Sequence, residues 1–210
     1  MEITKLGHCC LLIETKGKRI LTDPGSYTIE AHSKLEDIDY ILFTHEHQDH
    51  YHLESLKVIL EKNPQAVIYT NNSVSELLTK EGVKHTPVNH GDKVMLGEIS
   101  VDGIGEKHAQ MHSTIPLSSN LGFFIENKLW YPGDAFTNPE RSVEVLALPV
   151  SGPWMKLSEA IDYALLLKPK KAFPVHDGTR FGSAHVLPVK ILEPQGIEFI
   201  VMAEGDSREF

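Results

Sequence analysis

Cysteine is nearly absent from this 210-residue chain: two residues, Cys9 and Cys10, stand side by side in an apolar stretch. So few exclude the disulfide framework that holds small secreted domains together. A bond between adjacent cysteines is geometrically awkward. Neighbours on a strand point to opposite faces, so one thiol is expected in the core and the other packed elsewhere. Long apolar runs are missing too. None approaches the roughly 18 residues of a membrane helix, and Met1-Glu2-Ile3-Thr4 has no basic-then-hydrophobic leader pattern. Positive charge is scarce, with 20 Lys and Arg against 29 Asp and Glu and a formal net charge of −9. Phosphate binding normally wants a basic surface, so this balance argues against nucleic acid or an anionic membrane as partner. Internal repeats, low-complexity tracts and linkers are lacking as well. The expectation is a cytoplasmic protein with one domain over residues 1–210 and a small-molecule partner; the sequence sets no oligomeric state.

Histidine, by contrast, is plentiful, with 12 in the chain. Four of them and two carboxylates fall in the ten residues Phe43-Thr44-His45-Glu46-His47-Gln48-Asp49-His50-Tyr51-His52, which open on the end of the apolar Ile41-Leu42-Phe43. Such a run reads as a buried strand ending in a loop, where side chains leave the sheet and converge. Imidazole and carboxylate suit a divalent transition metal such as zinc. In an extended stretch His45 and His47 point to the same side. Once the chain turns, Asp49 and His50 can supply a neighbouring position, so the spacing looks like two half-sites.

The rest alternates strands with helices. Residues 1–6, 9–14 and 19–22 read as short strands, and 38–44 delivers the histidine motif. A helix follows over 52–60 with His52 opening it, then a strand at 66–70 and a helix over 73–80. Edge strands at 83–88 and 94–96 and a strand at 99–104 precede a hairpin of 121–125 and 129–131 around Glu126-Asn127-Lys128. A strand at 145–150, an amphipathic helix over 157–167, a strand at 171–175, a helix over 186–192 and a strand at 197–203 complete the chain. This order marks an α/β protein with helices on sheet faces. Asp23, Asp134 and His176 each follow a strand. His108 lies just after residues 99–104, and His112 lies four residues on. His32, His85, His90 and His185 have no motif support and read as surface or packing histidines.

The run His45-Glu46-His47-Gln48-Asp49-His50 resembles the signature of the metallo-β-lactamase-fold hydrolases, which include lactonases, phosphodiesterases and nucleases. The Gly7-His8 start and the Leu21-Thr22-Asp23-Pro24 element most resemble the stand-alone lactonase/phosphodiesterase-like branch. The resemblance implies a four-layer αββα sandwich with a two-metal site at one edge. It implies His45, His47 and His108 around one metal, with His112 the alternative third histidine or a substrate contact. Asp49, His50 and His176 would hold the other metal, and Asp134 of Pro132-Gly133-Asp134 would bridge the two. Asp23 would support a ligand imidazole from behind. His8 would line the site, as could Trp154 and Lys156, the lysine holding an anionic group.

Three protein groups per metal plus a bridge leave coordination positions open, which separates catalytic from structural zinc. A hydroxide shared by two dications becomes a nucleophile at neutral pH. The expected reaction is hydrolysis of a small-molecule ester, lactone or phosphodiester, with Asp49 and Asp134 as catalytic groups. The expected cofactors are two divalent ions, zinc first, with Mn, Fe, Co or Ni also compatible with such ligands. Three other readings stand beside it: a metal-dependent nuclease, a diiron redox domain, and a non-catalytic metal-binding module. The diiron class normally has glutamate where this chain has His47. Leaving so many buried histidines and carboxylates without metal would be costly for a pure binding module.

Overall fold

The computed structural model of the chain describes residues 1–178 and 183–210. Among the described residues the strands form two seven-stranded sheets. The first contains β1 (Glu2–Gly7), β2 (Cys10–Thr15), β3 (Lys18–Thr22), β4 (Tyr40–Phe43), β5 (Val67–Thr70) and β6 (Thr86–Pro87). The second contains β7 (Lys93–Leu96), β8 (Ile99–Ile104), β9 (Gly122–Ile125), β10 (Leu129–Tyr131), β11 (Val145–Pro149), β12 (Lys171–Val175) and β13 (Glu198–Phe199). The chain then returns to the first sheet as β14 (Ser207–Glu209), beside β1. The helices are α1 (Ile29–His32), α2 (Leu53–Lys62), α3 (Asn72–Lys80), α4 (Leu157–Leu167) and α5 (Ser183–Leu192).

Alternation along the strands builds three cores from these pieces. Leu11, Ile13, Leu42, Phe123, Ile125, Val145 and Ala147 meet in one cluster between the sheets. Their neighbours Phe124, Leu146 and Leu148 face the other way, onto Ala160 and Ile161 of α4 and Leu192 of α5. Cys10, Leu12, Ile41 and Phe43 likewise face Leu56 and Ile59 of α2 and Val74 and Leu78 of α3. Strands covered on both faces explain why 145–149 reads as a continuous apolar run. The layers are therefore helix, sheet, sheet, helix, the αββα sandwich. Burying each Leu, Ile or Phe side chain stabilises it by about 1.5–3 kcal/mol. Cys9 sits in the inter-sheet core and Cys10 on the helix side, both buried and both free.

Strand direction is what positions the site. β3 and β4 run parallel, and β1 is antiparallel to β2, which is antiparallel to β3, so β1, β3 and β4 share one direction. In the second sheet β10, β11 and β12 are parallel, and β8 reaches the same direction through two antiparallel steps. In each sheet, these strands therefore end at a common edge, where α/β sheets place ligands.

The structure departs from expectation at the sheet margins. The strand expected over 83–88 is reduced to Thr86–Pro87 and that over 197–203 to Glu198–Phe199. Both positions lie at or near a sheet edge, where one-sided pairing leaves little to hold a ladder. The last helix begins at Ser183 rather than 186, and α1 and β14 were not expected at all. His52 does open α2, its ring accepting the Ser55 N–H.

A buried polar chain staples α4 to the second sheet. The Trp130 indole donates to the Tyr163 hydroxyl at 2.7 Å, and that hydroxyl donates to the Thr137 carbonyl at 2.5 Å. Replacing Tyr163 with Phe strands the buried indole N–H. The expected loss is about 1–3 kcal/mol, read as a lower urea midpoint with an unchanged slope.

Candidate metal centre

Six candidate residues stand at or just past a strand end on the common edge. His8 follows β1, Asp23 follows β3, His45 lies two residues beyond β4, His108 lies beyond β8, Asp134 beyond β10, and His176 follows β12. His8, Asp23 and His176 all have left-handed backbone, with φ of 46°, 38° and 55°. Non-glycine residues hold that conformation only when their surroundings over-determine it, and such strain gathers at functional sites.

The side chains converge on Asp134, which is 2% exposed. Its Oδ1 lies 3.2 Å from His50 Nε2. Its Oδ2 lies 2.8 Å from His176 Nε2, 3.3 Å from His108 Nε2 and 3.9 Å from His45 Nε2. The Trp154 indole donates to the same Oδ2 at 2.9 Å. His47 closes one side, its Nδ1 3.0 Å from His45 Nε2. His45, His47, His108 and Asp134 thus bring one donor atom each within 4.8 Å of one another. Of the two expected alternatives, it is His108 that is buried here; His112 is exposed, its ring bonded to Thr114.

The far nitrogens of these rings are tied down. His50 Nδ1 donates to Asp23 Oδ2 at 2.8 Å, His45 Nδ1 to Thr44 Oγ1 at 3.0 Å, and His108 Nδ1 to the Ala109 carbonyl at 2.6 Å. His176 Nδ1 donates to the Ser151 carbonyl. With the proton fixed on Nδ1, each Nε2 turns its lone pair toward Asp134. The result is a set of buried atoms with no hydrogen-bond partner: Nε2 of His50, His108 and His176, and Asp134 Oδ1. Buried polar atoms are normally paired. Lone pairs converging in this way fit a divalent transition-metal ion, whose preferred donors they are.

The electrostatics show the same tension. Burial opposes ionisation of Asp134, yet His50 and His176 beside it hold its carboxyl well below the usual range. Burial likewise disfavours charge on His50 and His176, and the Asp134 carboxylate outweighs it, raising both. Burial, and then the neighbouring His50, push His45 well down.

A second grouping lies alongside, with His8, Cys9, His50 and His176 also within 4.8 Å of one another. Two of these are poor ligands as they stand. The Gly178 N–H donates to His8 Nδ1 at 3.2 Å, so His8 Nε2 carries the proton and donates to Asp49 Oδ2 at 3.0 Å. Burial pushes the Cys9 thiol up and keeps it protonated. Asp49 is the better third donor, its Oδ2 3.4 Å from His176 Nε2 and 3.9 Å from His50 Nε2. Its carboxyl is held far down, burial being outweighed by His176 and His8.

A cleft of about 560 Å³ opens over this centre, walled by Tyr27, Met111, Pro153 and Trp154, with His8 and Asp49 in its floor. Trp154 lines it as expected. Lys156 does not; it is exposed at the start of α4, where its backbone N–H donates to Glu159. His185, read as a surface or packing histidine, hydrogen-bonds Asp177. The buried Asp23 holds the motif from behind, accepting from His50, from the Thr44 hydroxyl at 2.7 Å and from the Thr44 N–H at 2.8 Å, with the Tyr131 hydroxyl 2.6 Å away. Tyr131, Thr44 and Asn120, whose side chain accepts the Asp134 N–H at 2.9 Å, were not singled out from sequence. Thr44 and Tyr131 carry one available signal: both border a strand end next to a ligand.

Residues 2–176 match the sequence model of a family described as a beta-lactamase superfamily domain, and the match ends on His176. Protein Rv0786c of Mycobacterium tuberculosis is 36% identical over 181 residues, 84% of each chain. A UPF0173 metal-dependent hydrolase of Caldivirga maquilingensis is 31% identical over 190 residues, 83% of this chain and 81% of the relative. Among solved structures, Igni18, a metallo hydrolase of Ignicoccus hospitalis, superposes with a TM-score of 0.77 at 20% identity, covering 100% of this chain and 98% of that one.

One glycine sets how closely the motif loop can pack. A Cβ on Gly25 would lie 1.9 Å from the Asp49 carbonyl oxygen and 2.5 Å from the His50 nitrogen. Those are backbone atoms, so they cannot rotate away. Gly25→Ala must therefore displace Asp49 and His50 together. A shift of about 1 Å at reacting groups costs on the order of 100-fold in rate, and elemental analysis of the variant should show metal loss alongside that drop.

Proposed function

The chain belongs to the beta-lactamase superfamily and is a metal-dependent hydrolase of it, and on that premise we propose that it holds two divalent ions and hydrolyses a small ester or lactone. The observation that carries this reading is the set of buried, unpartnered Nε2 and Oδ1 atoms around Asp134. His45, His47 and His108 would hold one ion, Asp49, His50 and His176 the other, and Asp134 would stand between them. Zinc is the metal we favour for such a nitrogen and oxygen set. Divalent cations held there supply Lewis acidity, polarising a substrate oxygen and acidifying water.

The chain's own residues do the rest. Asp23, Thr44, Ala109 and Ser151 fix four imidazoles in one tautomer, so no reorganisation is needed when charge develops. Asp49, the half-buried carboxylate in the cleft floor, stays ionised and can accept a hydrogen bond from attacking water. His8 orients it. Trp154 holds Asp134 in its orientation by donating to Oδ2.

The cleft favours an uncharged carbonyl substrate over a phosphodiester. Among the described residues no Lys or Arg lines it, while Tyr27, Met111, Pro153 and Trp154 offer apolar surface. Small-molecule sites commonly combine such walls with a few placed polar groups. Cys9 and Cys10 are free thiols, which fits work in the cytoplasm. No helix among the described residues is long and apolar enough to cross a membrane.

Elemental analysis of protein purified without chelator should find about two metals per chain. His47→Ala and Asp134→Ala should each lose metal. Outer partners alone are worth about 10–100-fold in metal affinity or activity, so these ligand changes should cost at least that. Model esters and lactones should turn over faster than a bis-phosphodiester. Protein that holds no metal and gains no thermal stability from added zinc or manganese would sink the reading.

A further inference from the structure

Lys5 occupies a place where the pattern of its strand calls for an apolar side chain. On β1, Ile3 and Lys5 share a face, and Ile3 belongs to the inter-sheet core. Lys5 is 1% exposed. An ammonium without water must be paired to be tolerated. Its Nζ donates to Asp177 Oδ2 at 2.5 Å and to the Met202 carbonyl at 3.2 Å. The same Oδ2 accepts from His185 Nε2 at 2.7 Å.

Asp177 directly follows His176, whose φ of 55° must be imposed by what surrounds it. On one side His176 is held by its backbone N–H donating to the His8 carbonyl at 3.0 Å and by its ring donating to Ser151. On the other side the fixed point is Asp177. This matters because His50 comes from the end of β4 in the first sheet and His176 from the end of β12 in the second. Lys5 stands in the first sheet and Asp177 in the loop after β12, 172 residues apart. Their ion pair thus crosses the sandwich beside the two rings whose separation a metal would have to match.

We propose that Lys5, Asp177 and His185 form a buried charge clamp that positions His176, with Lys5 the positioning residue for the second half of the centre. The proposal rests on the two-metal reading above. A staple serving only the fold would be replaceable by apolar side chains at little cost; a clamp that fixes a ligand would not.

Zinc titration of the full chain by calorimetry, with competing chelator, tests it on wild type, Lys5→Met, Asp177→Asn and His185→Gln. Lys18→Met, which breaks an ion pair with Asp39 at 2.7 Å far less buried than this one, is the control. One of the two zinc-binding steps should weaken by about 10–100-fold in Lys5→Met and Asp177→Asn, less in His185→Gln, with the other step and the control unmoved. The cobalt absorption bands of that same step should shift. Folded variants whose two steps both match wild type, or both weaken equally, overturn the clamp. If Lys5→Met does not fold, Asp177→Asn and His185→Gln carry the test, and unchanged zinc steps in them overturn it. Wild type that takes no zinc fails the two-metal reading and the clamp with it; wild type that takes two, with variants identical to it, fails the clamp alone.

Discussion

A carboxylate cut off from water is the constraint on which this structure turns. Asp134 is buried, yet His50 and His176 hold its carboxyl well below the usual range, and an indole N–H is aimed at it. Burial of such a charge is expensive unless it is fully compensated. The compensation is spread over residues from four strand ends, so the sandwich edge must assemble as a unit. That requirement explains the polar framework behind the rings: Asp23 under His50, Thr44 under His45, and Asn120 under the backbone of Asp134 itself. The framework gives each ring one tautomer and one orientation, which is what cations or a developing charge would need in advance.

The geometry also accounts for where strain is stored. His8, Asp23 and His176 turn sharply as they leave their strands, in left-handed backbone that costs on the order of 1–3 kcal/mol per residue. Each turn brings a side chain inward that a continuing strand would carry past the site. Part of the cost is offset locally. The carbonyl of His8 accepts the N–H of His176, so two of the strained residues brace one another across the sheets. Asp23 is braced instead by its hydrogen bonds to Thr44 and His50. Gly25 adds a steric limit, letting the backbone approach the Asp49–His50 peptide more closely than any side chain would permit.

Much of this was legible in the sequence, and what was not has definite causes. The histidine motif could be read because several donors sit within one short segment, where spacing alone fixes which side they face. Asp134 and His176 could be read because each follows an apolar strand, and the resemblance gave them an order. The strand at 145–150 could be read from its unbroken apolar run, though not which face met which layer. Tyr131 escaped because it meets Asp23 across 108 residues, and Asn120 because it bonds Asp134 only once the intervening hairpin has folded back. Lys5 escaped for another reason. It interrupts the apolar alternation of the first strand, and a lone charge in a short strand is ordinarily taken as its solvated face. The short strands β6 and β13 were overextended because propensity cannot show that a neighbour stops pairing.

The wall of the cleft and the buried carboxylate beneath it are joined in one side chain. Trp154 walls the cleft, and its indole N–H is bonded to the Asp134 oxygen that His176 and His108 also approach. The ring has no freedom to slide, because Gly152 packs against its nitrogen and a Cβ there would lie 2.7 Å away. Phe136 and the rings of His108 and His176 enclose its remaining sides. A ligand pressing on this indole therefore presses on the hydrogen bond to Asp134. Shape selection at the wall and charge placement at the centre are not separable here, since any residue unable to donate from that position would leave the buried oxygen short of a partner. The apolar wall is thereby tied to the electrostatics behind it, and the shape of the cleft is set in part by what Asp134 requires.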